Sequence, residues 1–255
     1  MEPTVPADPK LIEYLDAEAQ KYLRSLPPEH FMEAMPQSTQ RKITLESFDL
    51  IRAARPEVQC FNELLIQYPR GKRKKLGQVV PDNFVLVHPQ PIEALTNFST
   101  QVQPAGPLLV LEYVSKHSER KDYDDNYEKY EEELQVPYYL LFYPDNEEMT
   151  LFRLGNKGYG AARPNAAGRV AVPELELEAG LLGGWVRFWF RGELLPLPGD
   201  LLVERDAARE QRDAAQAALQ AAEQRAVTER QARLAAEAEL AKLRDELAKA
   251  KGTGG

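Results

Sequence analysis

The chain has 255 residues, 43% hydrophobic and 28% charged, with a mean hydropathy of -0.49 and a formal net charge of -8. That is enough apolar material for one or two domains with a real core, and too much charge for a protein built of membrane spans. A single cysteine, Cys60, and three scattered histidines exclude a disulfide framework, a thiolate zinc cluster and a paired-histidine site, so carboxylates are the remaining ligand chemistry.

Residues 1–38 are proline-rich and read as an N-terminal arm with one helical pattern from Pro9 to about Leu26. The opening MEPTVPADPK has neither the basic nor the apolar region of a secretion signal, so the cytoplasm is the expected compartment. From Thr44 to Arg55 the run TLESFDLIRAAR sets Leu45, Phe48, Leu50 and Ile51 on one helical face and stops at Pro56, which predicts the first core helix. FNELLIQYP and QVVPDNFVLVHP are each expected to form one strand. Between them RGKRKK gathers Arg70, Lys72, Arg73, Lys74 and Lys75 into a basic hairpin loop, a candidate contact for a nucleic-acid backbone in an otherwise acidic chain.

PLLVLEYVS is a nearly unbroken apolar run, the pattern of a strand covered on both faces. A helix from about Tyr123 to Leu134 follows, with Tyr127 and Tyr130 on its buried stripe and most of its acids toward solvent. VPYYLLFYPD and MTLFRL then read as a hairpin across Asp145 and Asn146. WVRFWF is expected to be a closing core strand. The mixed order predicts an α/β fold over residues 39–198, with a partly antiparallel mixed sheet flanked by helices. Leu201 to Lys251 holds no proline, glycine or aromatic residue and balances ten acids against ten bases, which predicts one long charged, alanine-rich helix. Leu240, Leu243 and Leu247 give it a weak heptad, hence coiled-coil potential and a route to a homodimer; residues 252–255 are expected to be disordered.

Two acids occupy costly places. Asp82 follows Val79, Val80 and Pro81, and Glu112 interrupts Leu108, Leu109, Val110 and Leu111. Ionised carboxylates in an apolar sheet need a partner, and two brought together repel unless a cation lies between them. A hard divalent ion, Mg2+ or Mn2+, answers both conditions. No phosphate loop, dinucleotide fingerprint or Gly-x-Ser-x-Gly elbow offers a competing chemistry.

The stretches VPDNFVLV, LLVLEYVSKHSERKDYDDNYEKYEEELQVPYYLLFYPD and EMTLFRL resemble the core of the Uma-type family of restriction-endonuclease-like proteins, within the PD-(D/E)XK nuclease superfamily, over about residues 40 to 195. The resemblance implies a restriction-endonuclease-like fold and a magnesium-dependent DNA endonuclease hydrolysing phosphodiester bonds. Asp82 matches the family's Pro-Asp aspartate and Glu112 its strand glutamate, both as metal ligands and catalytic acids. Glu46 on the first helix is the candidate for a further ligand, in competition with Asp49 and Glu57. The superfamily's lysine stands two residues after the glutamate, where this chain has Val114, and the helix position expected to compensate holds Asn126. Lys116, Lys121 and Lys129 are the candidate replacements, with Lys116 nearest in sequence to the glutamate. The rival reading is a catalytically impaired scaffold that binds DNA or protein through the basic loop and the helical tail.

Overall fold

The computed structural model describes residues 8–26, 35–71, 75–94, 96–114 and 125–252. The predicted arm outside 8–26 and 35–38, and the tail at 253–255, fall outside those residues. The chain divides into two units, Met1–Leu197 and Pro198–Gly255.

In the first unit, helix α1 (Pro9–Ser25) starts where the carboxylate of Asp8 accepts the backbone N–H of Lys10, with Pro9 supplying a preset φ. It buries Leu15 and Ala19, and its Leu15 and Glu18 carbonyls accept from the Gln67 and Gln78 side-chain amides. Helix α2 (Met35–Ala54) begins nine residues earlier than Thr44, so residue 38 lies inside it rather than at a boundary. It buries Ile43, Phe48 and Ile51, and also the polar Gln40, Thr44 and Ser47.

Each of the two strands expected on either side of the basic loop is broken in two. Val58–Asn62 (β1) and Leu65–Arg70 (β2) are separated at Glu63, which takes φ 47°; Lys75–Val79 (β3) and Asn83–Val87 (β4) are separated at Pro81 and Asp82. The breaks send the pieces to different sheets. β2 and β3 form a three-stranded sheet with Asn97–Ser99 (β5), in the order β3-β2-β5. β1 and β4 join Leu109–Tyr113 (β6), Tyr138–Tyr143 (β7), Glu148–Gly155 (β8) and Gly158–Ala161 (β9) in a six-stranded sheet ordered β1-β4-β6-β7-β8-β9. Only β6 and β7 run parallel there; the other neighbours are antiparallel. The last four strands, Val170–Val172 (β10), Leu177–Leu182 (β11), Trp185–Phe190 (β12) and Glu193–Leu194 (β13), make an antiparallel sheet of their own.

This layering explains the apolar runs. Alternate residues of β6 and β7 feed two separate cores: Leu109, Leu111, Tyr113, Leu140 and Phe142 pack toward α2 and the four-stranded sheet, with Phe188 of β12 among them. Val110, Val114, Tyr139 and Leu141 pack on the other side with Ile66, Tyr68 and Tyr130. The helical segment before β7 is described over 125–133 and closes in a π-helical turn, Lys129–Glu133. Not all its acids face water: Glu133 is hydrogen-bonded by the Tyr68 hydroxyl and paired with Arg70, and Glu131 accepts from the Tyr159 N–H. Gly158, at φ 94°, is required beside it, because a Cβ there would collide with the Glu131 carboxylate.

The second unit is helix α3 (Pro198–Gly252), whose described side chains are all exposed. Among the described residues no helix is long and apolar enough to cross a membrane.

Candidate active site

The break at Pro81 and Asp82 takes Asp82 out of the strand where the sequence reading placed it and sets it at the mouth of β4. β4 pairs with β6 in the register Asn83↔Leu111, Phe84↔Val110. One step further along that antiparallel register places Asp82 opposite Glu112, and directly opposed residues present their side chains to the same face. The contacts agree: Glu112 Oε2 accepts from the Asp82 backbone N–H at 3.3 Å. Two carboxyls at opposed positions of adjacent strands repel when both are ionised, and a shared proton or a cation relieves the repulsion.

Each acid is held by named partners. The Glu112 side chain, on the face it shares with Val110 and Val114, is buried, and its Oε1 accepts from the Tyr130 hydroxyl at 2.6 Å and from Asn126 Nδ2 at 3.2 Å. Burial pushes the Tyr130 hydroxyl well above its usual range, and the Glu112 charge adds to this, so Tyr130 stays a donor. Asp82 Oδ2 accepts from the Tyr113 N–H at 2.7 Å, and Oδ1 from Arg41 Nη2 at 3.0 Å. Burial pushes the Asp82 carboxyl above the usual carboxylate range; the Tyr113 N–H and the Arg41 guanidinium oppose the shift without cancelling it.

Arg41 was not among the residues singled out from sequence, yet it organises this end of the sheet. Its other amino group, Nη1, lies 2.8 Å from Glu63 Oε1. The left-handed turn at Glu63 that breaks β1 from β2 is also the turn that brings its carboxylate to Arg41, while the Glu63 N–H donates to the Asp82 carbonyl. Gln37 and Thr44 share the helix face of Arg41: Gln37 Nε2 donates to the Tyr113 carbonyl, and Thr44 Oγ1 lies 2.7 Å from the Tyr113 hydroxyl. Polar residues at 37, 41 and 44, spaced four and three apart on a helix that otherwise buries apolar side chains, are the signal that could have found them.

Glu46 is not brought to the pair. It sits roughly 140° around α2 from Arg41 at 3.6 residues per turn, and its ionic partner is Lys42 at 3.9 Å. No cluster of three His, Cys, Asp or Glu side chains able to hold a metal occurs among the described residues. Lys116 and Lys121 lie outside the described residues. Lys129, the third candidate cation, lies one helical turn beyond Asn126, and its Nζ is 3.4 Å from Asn126 Oδ1. Asn126 therefore joins Lys129 to Glu112, accepting from one and donating to the other.

The basic loop is described only at its two ends. Arg70 ends β2 and pairs with Glu133, and Lys75 begins β3, seven residues of nearly extended chain before Asp82, or about 23 Å of contour at ~3.3 Å per residue. Lys72, Arg73 and Lys74 fall outside the described residues.

The charge balance tests whether a metal ion fits. When ionised, Asp82 and Glu112 bring two negative charges, and among the described residues the guanidinium paired with Asp82, that of Arg41, is shared with Glu63. Burial penalises ionised carboxylates here, so a cation between them is favoured, and the donors are hard oxygens from two acids, the set that magnesium and manganese take together with water and phosphate. The residues present fit such an ion.

A mixed sheet that brings two carboxylates from adjacent strand ends to one covered face, under a helix, is the arrangement of a restriction-endonuclease-like core. The family model for Uma2, described as "Putative restriction endonuclease", matches residues 13–182, more than half of the chain, and the chain belongs to that family. Among solved structures the chain is similar to a "putative nuclease belonging to DUF820" from Anabaena variabilis ATCC 29413, at 16% sequence identity and a TM-score of 0.42, covering 56% of this chain and 75% of that one. No curated protein matches the chain.

Proposed function

We propose that the chain is a metal-dependent DNA endonuclease in which Asp82 and Glu112 hold a magnesium or manganese ion. The observation that carries this reading is the placement of the two acids opposite each other on one face of the sheet, with Glu112 Oε2 accepting from the Asp82 backbone N–H at 3.3 Å. When bound, the ion supplies the positive charge that lowers the pKa of a water molecule and neutralises charge developing on the phosphoryl group. Arg41 fixes the rotamer of Asp82, and Tyr130 and Asn126 fix that of Glu112, so the ligands are set before the ion arrives. Lys129 is the described lysine closest to the role of the one missing at Val114, holding positive charge next to Glu112 through Asn126. Lys116 and Lys121 remain its competitors by sequence. The basic hairpin loop would bind the duplex backbone, with affinity that falls as salt rises.

The test is incubation of the full-length protein with supercoiled plasmid and with single-stranded DNA in Mg2+ or Mn2+. Cleavage that is lost in Asp82→Asn and on chelation supports the reading; intact DNA with a well-folded protein refutes it. A second reading has its own observation: an amide, Asn126, occupies the place next to Glu112 where an ammonium is needed. In that case the fold is kept as a scaffold that binds DNA or protein. A gel shift unaffected by Asp82→Asn, with no cleavage under any metal, identifies it.

A further inference from the structure

We infer that α3 pairs with α3 of a second copy of this chain, antiparallel, about a two-fold axis between Gln220 and Ala221. The helix carries its apolar side chains into solvent: Leu201 is 43% exposed, Leu219 60%, Leu240 54% and Leu243 57%. Counted from Leu201 in alternating steps of four and three, one continuous seam passes through Leu219, Leu240, Leu243 and Leu247, and its nine other positions between Leu201 and Leu240 are five alanines and four charged residues. A seam of period 3.5 is buried by a second helix of the same period. Every copy of this chain supplies one.

Four charged residues interrupt the seam, Arg205, Arg212, Glu229 and Arg233, and they decide the orientation. In a parallel, in-register pair each would face its own copy, four like-charge contacts in the middle of the interface, each of them unfavourable. Turning one helix around the stated axis removes all four. Arg212 then faces Glu229, twice by symmetry. Arg205 and Arg233 face Ala236 and Ala208, where the small partner leaves room for the long stem to reach solvent. Leu201 faces Leu240 at both ends, and Leu219 faces Ala222 near the axis. No other change of register of one heptad combines Arg212 against Glu229 with leucine against leucine at the ends.

The ion pairs of the single helix do not oppose this. Arg212 with Asp213 and Arg233 with Glu237 are mostly exposed and easily redirected. The paired stretch, Leu201 to Leu240, is about 60 Å long at 1.5 Å per residue, and a strip ~10 Å wide covers on the order of 600 Å² on each helix. Two such strips reach the lower end of what a specific interface needs, roughly 1,200 Å².

Cysteine cross-linking reads the orientation directly. In a Cys60→Ser background, Ala215→Cys and Ala226→Cys are made separately on the full chain. These alanines are exposed on a helix, so neither change threatens folding. Mixing the two variants under mild oxidation should yield a disulfide-linked dimer, while neither variant alone does, because equivalent residues lie about 16 Å apart along an antiparallel pair, beyond the ~7 Å reach of a disulfide. Cross-linking of either variant with itself would mean a parallel pair, and no cross-link with a monomeric mass in sedimentation would mean no pair; each overturns the inference. Independently, Arg212→Glu should weaken the dimer about tenfold or more, and adding Glu229→Arg on the same chain should restore it. A parallel pair would gain nothing from the second change.

Discussion

Two ion pairs of the same length show what position does to charge. Arg41 and Asp82 meet at 3.0 Å with 13% and 20% of their side-chain surface left to solvent; Arg212 and Asp213 also meet at 3.0 Å, with 70% and 66% left. The first pair sits at the end of a sheet between a helix and a left-handed turn, beside a second acid, and its carboxyl is pushed up by burial. The second sits among water and counter-ions, where such a pair contributes about 0–1 kcal/mol. Chemistry concentrates where desolvation leaves charge unbalanced. On α3 the same residue types are solvated, and they act only if a second helix desolvates them.

The comparison breaks first at Glu112. Glu112→Gln keeps the shape and removes the charge, so plasmid cleavage should fall by a factor on the order of a thousand, while far-UV circular dichroism stays unchanged. Residual activity within a few-fold of the parent would mean that the buried acid is only structural. Lys129→Met should lower the single-turnover rate by about a hundredfold, equivalent to ~3 kcal/mol for one preorganised charge, and leave metal affinity in place. If Lys116→Met or Lys121→Met has that effect instead, the cation comes from the other end of the segment.

Arg41→Ala leaves Asp82 without its guanidinium. Breaking a buried pair costs about 3–5 kcal/mol when the remaining charge persists, but Asp82 can relax by keeping its proton, so urea denaturation should give about 2 kcal/mol. A loss as small as that of a surface pair would place Arg41 outside the site's support.

The pH dependence has a definite sign. With its pKa raised by burial, Asp82 holds its proton to a higher pH in the folded chain than in the unfolded one, where the ordinary aspartate value is about 3.9. Its stabilising contribution is therefore complete below that pH and is lost as pH rises through the raised folded value. Asp82→Asn should flatten this fall in metal-free buffer. Glu57 and Glu176, held low by hydrogen bonds from Arg55 and Arg191, have the opposite slope, with stability present above the ordinary value and lost on acidification. At the bottom of the scale, Asp213→Ala should change the stability of either unit by less than about 0.5 kcal/mol.

Much of this was legible in the residues. β6 and β7 announce themselves because a strand covered on both faces needs an apolar residue at every position, and Glu112 stands out because it violates that need. α3 is legible from composition alone. The strand breaks at Glu63 and Pro81–Asp82 were not: Glu63 is a non-glycine residue in the left-handed region, and its turn goes with the ion pair to Arg41, a residue 22 positions earlier. Arg41 itself sits in QRKIT beside Lys42 and reads as a solvated surface pair until the helix is docked. The four-stranded sheet was reduced to one aromatic strand, since β10, β11 and β13 are short and lack a strong alternating pattern.

The most direct measurement is Mn2+ binding to the full-length protein, followed by electron paramagnetic resonance as free ion disappears. The expected result is one ion bound per chain, lost in Asp82→Asn and equally in Glu112→Gln, and retained in Lys129→Met. Binding that survives either acid substitution, or no binding by the parent, would contradict the claim that Asp82 and Glu112 share one cation.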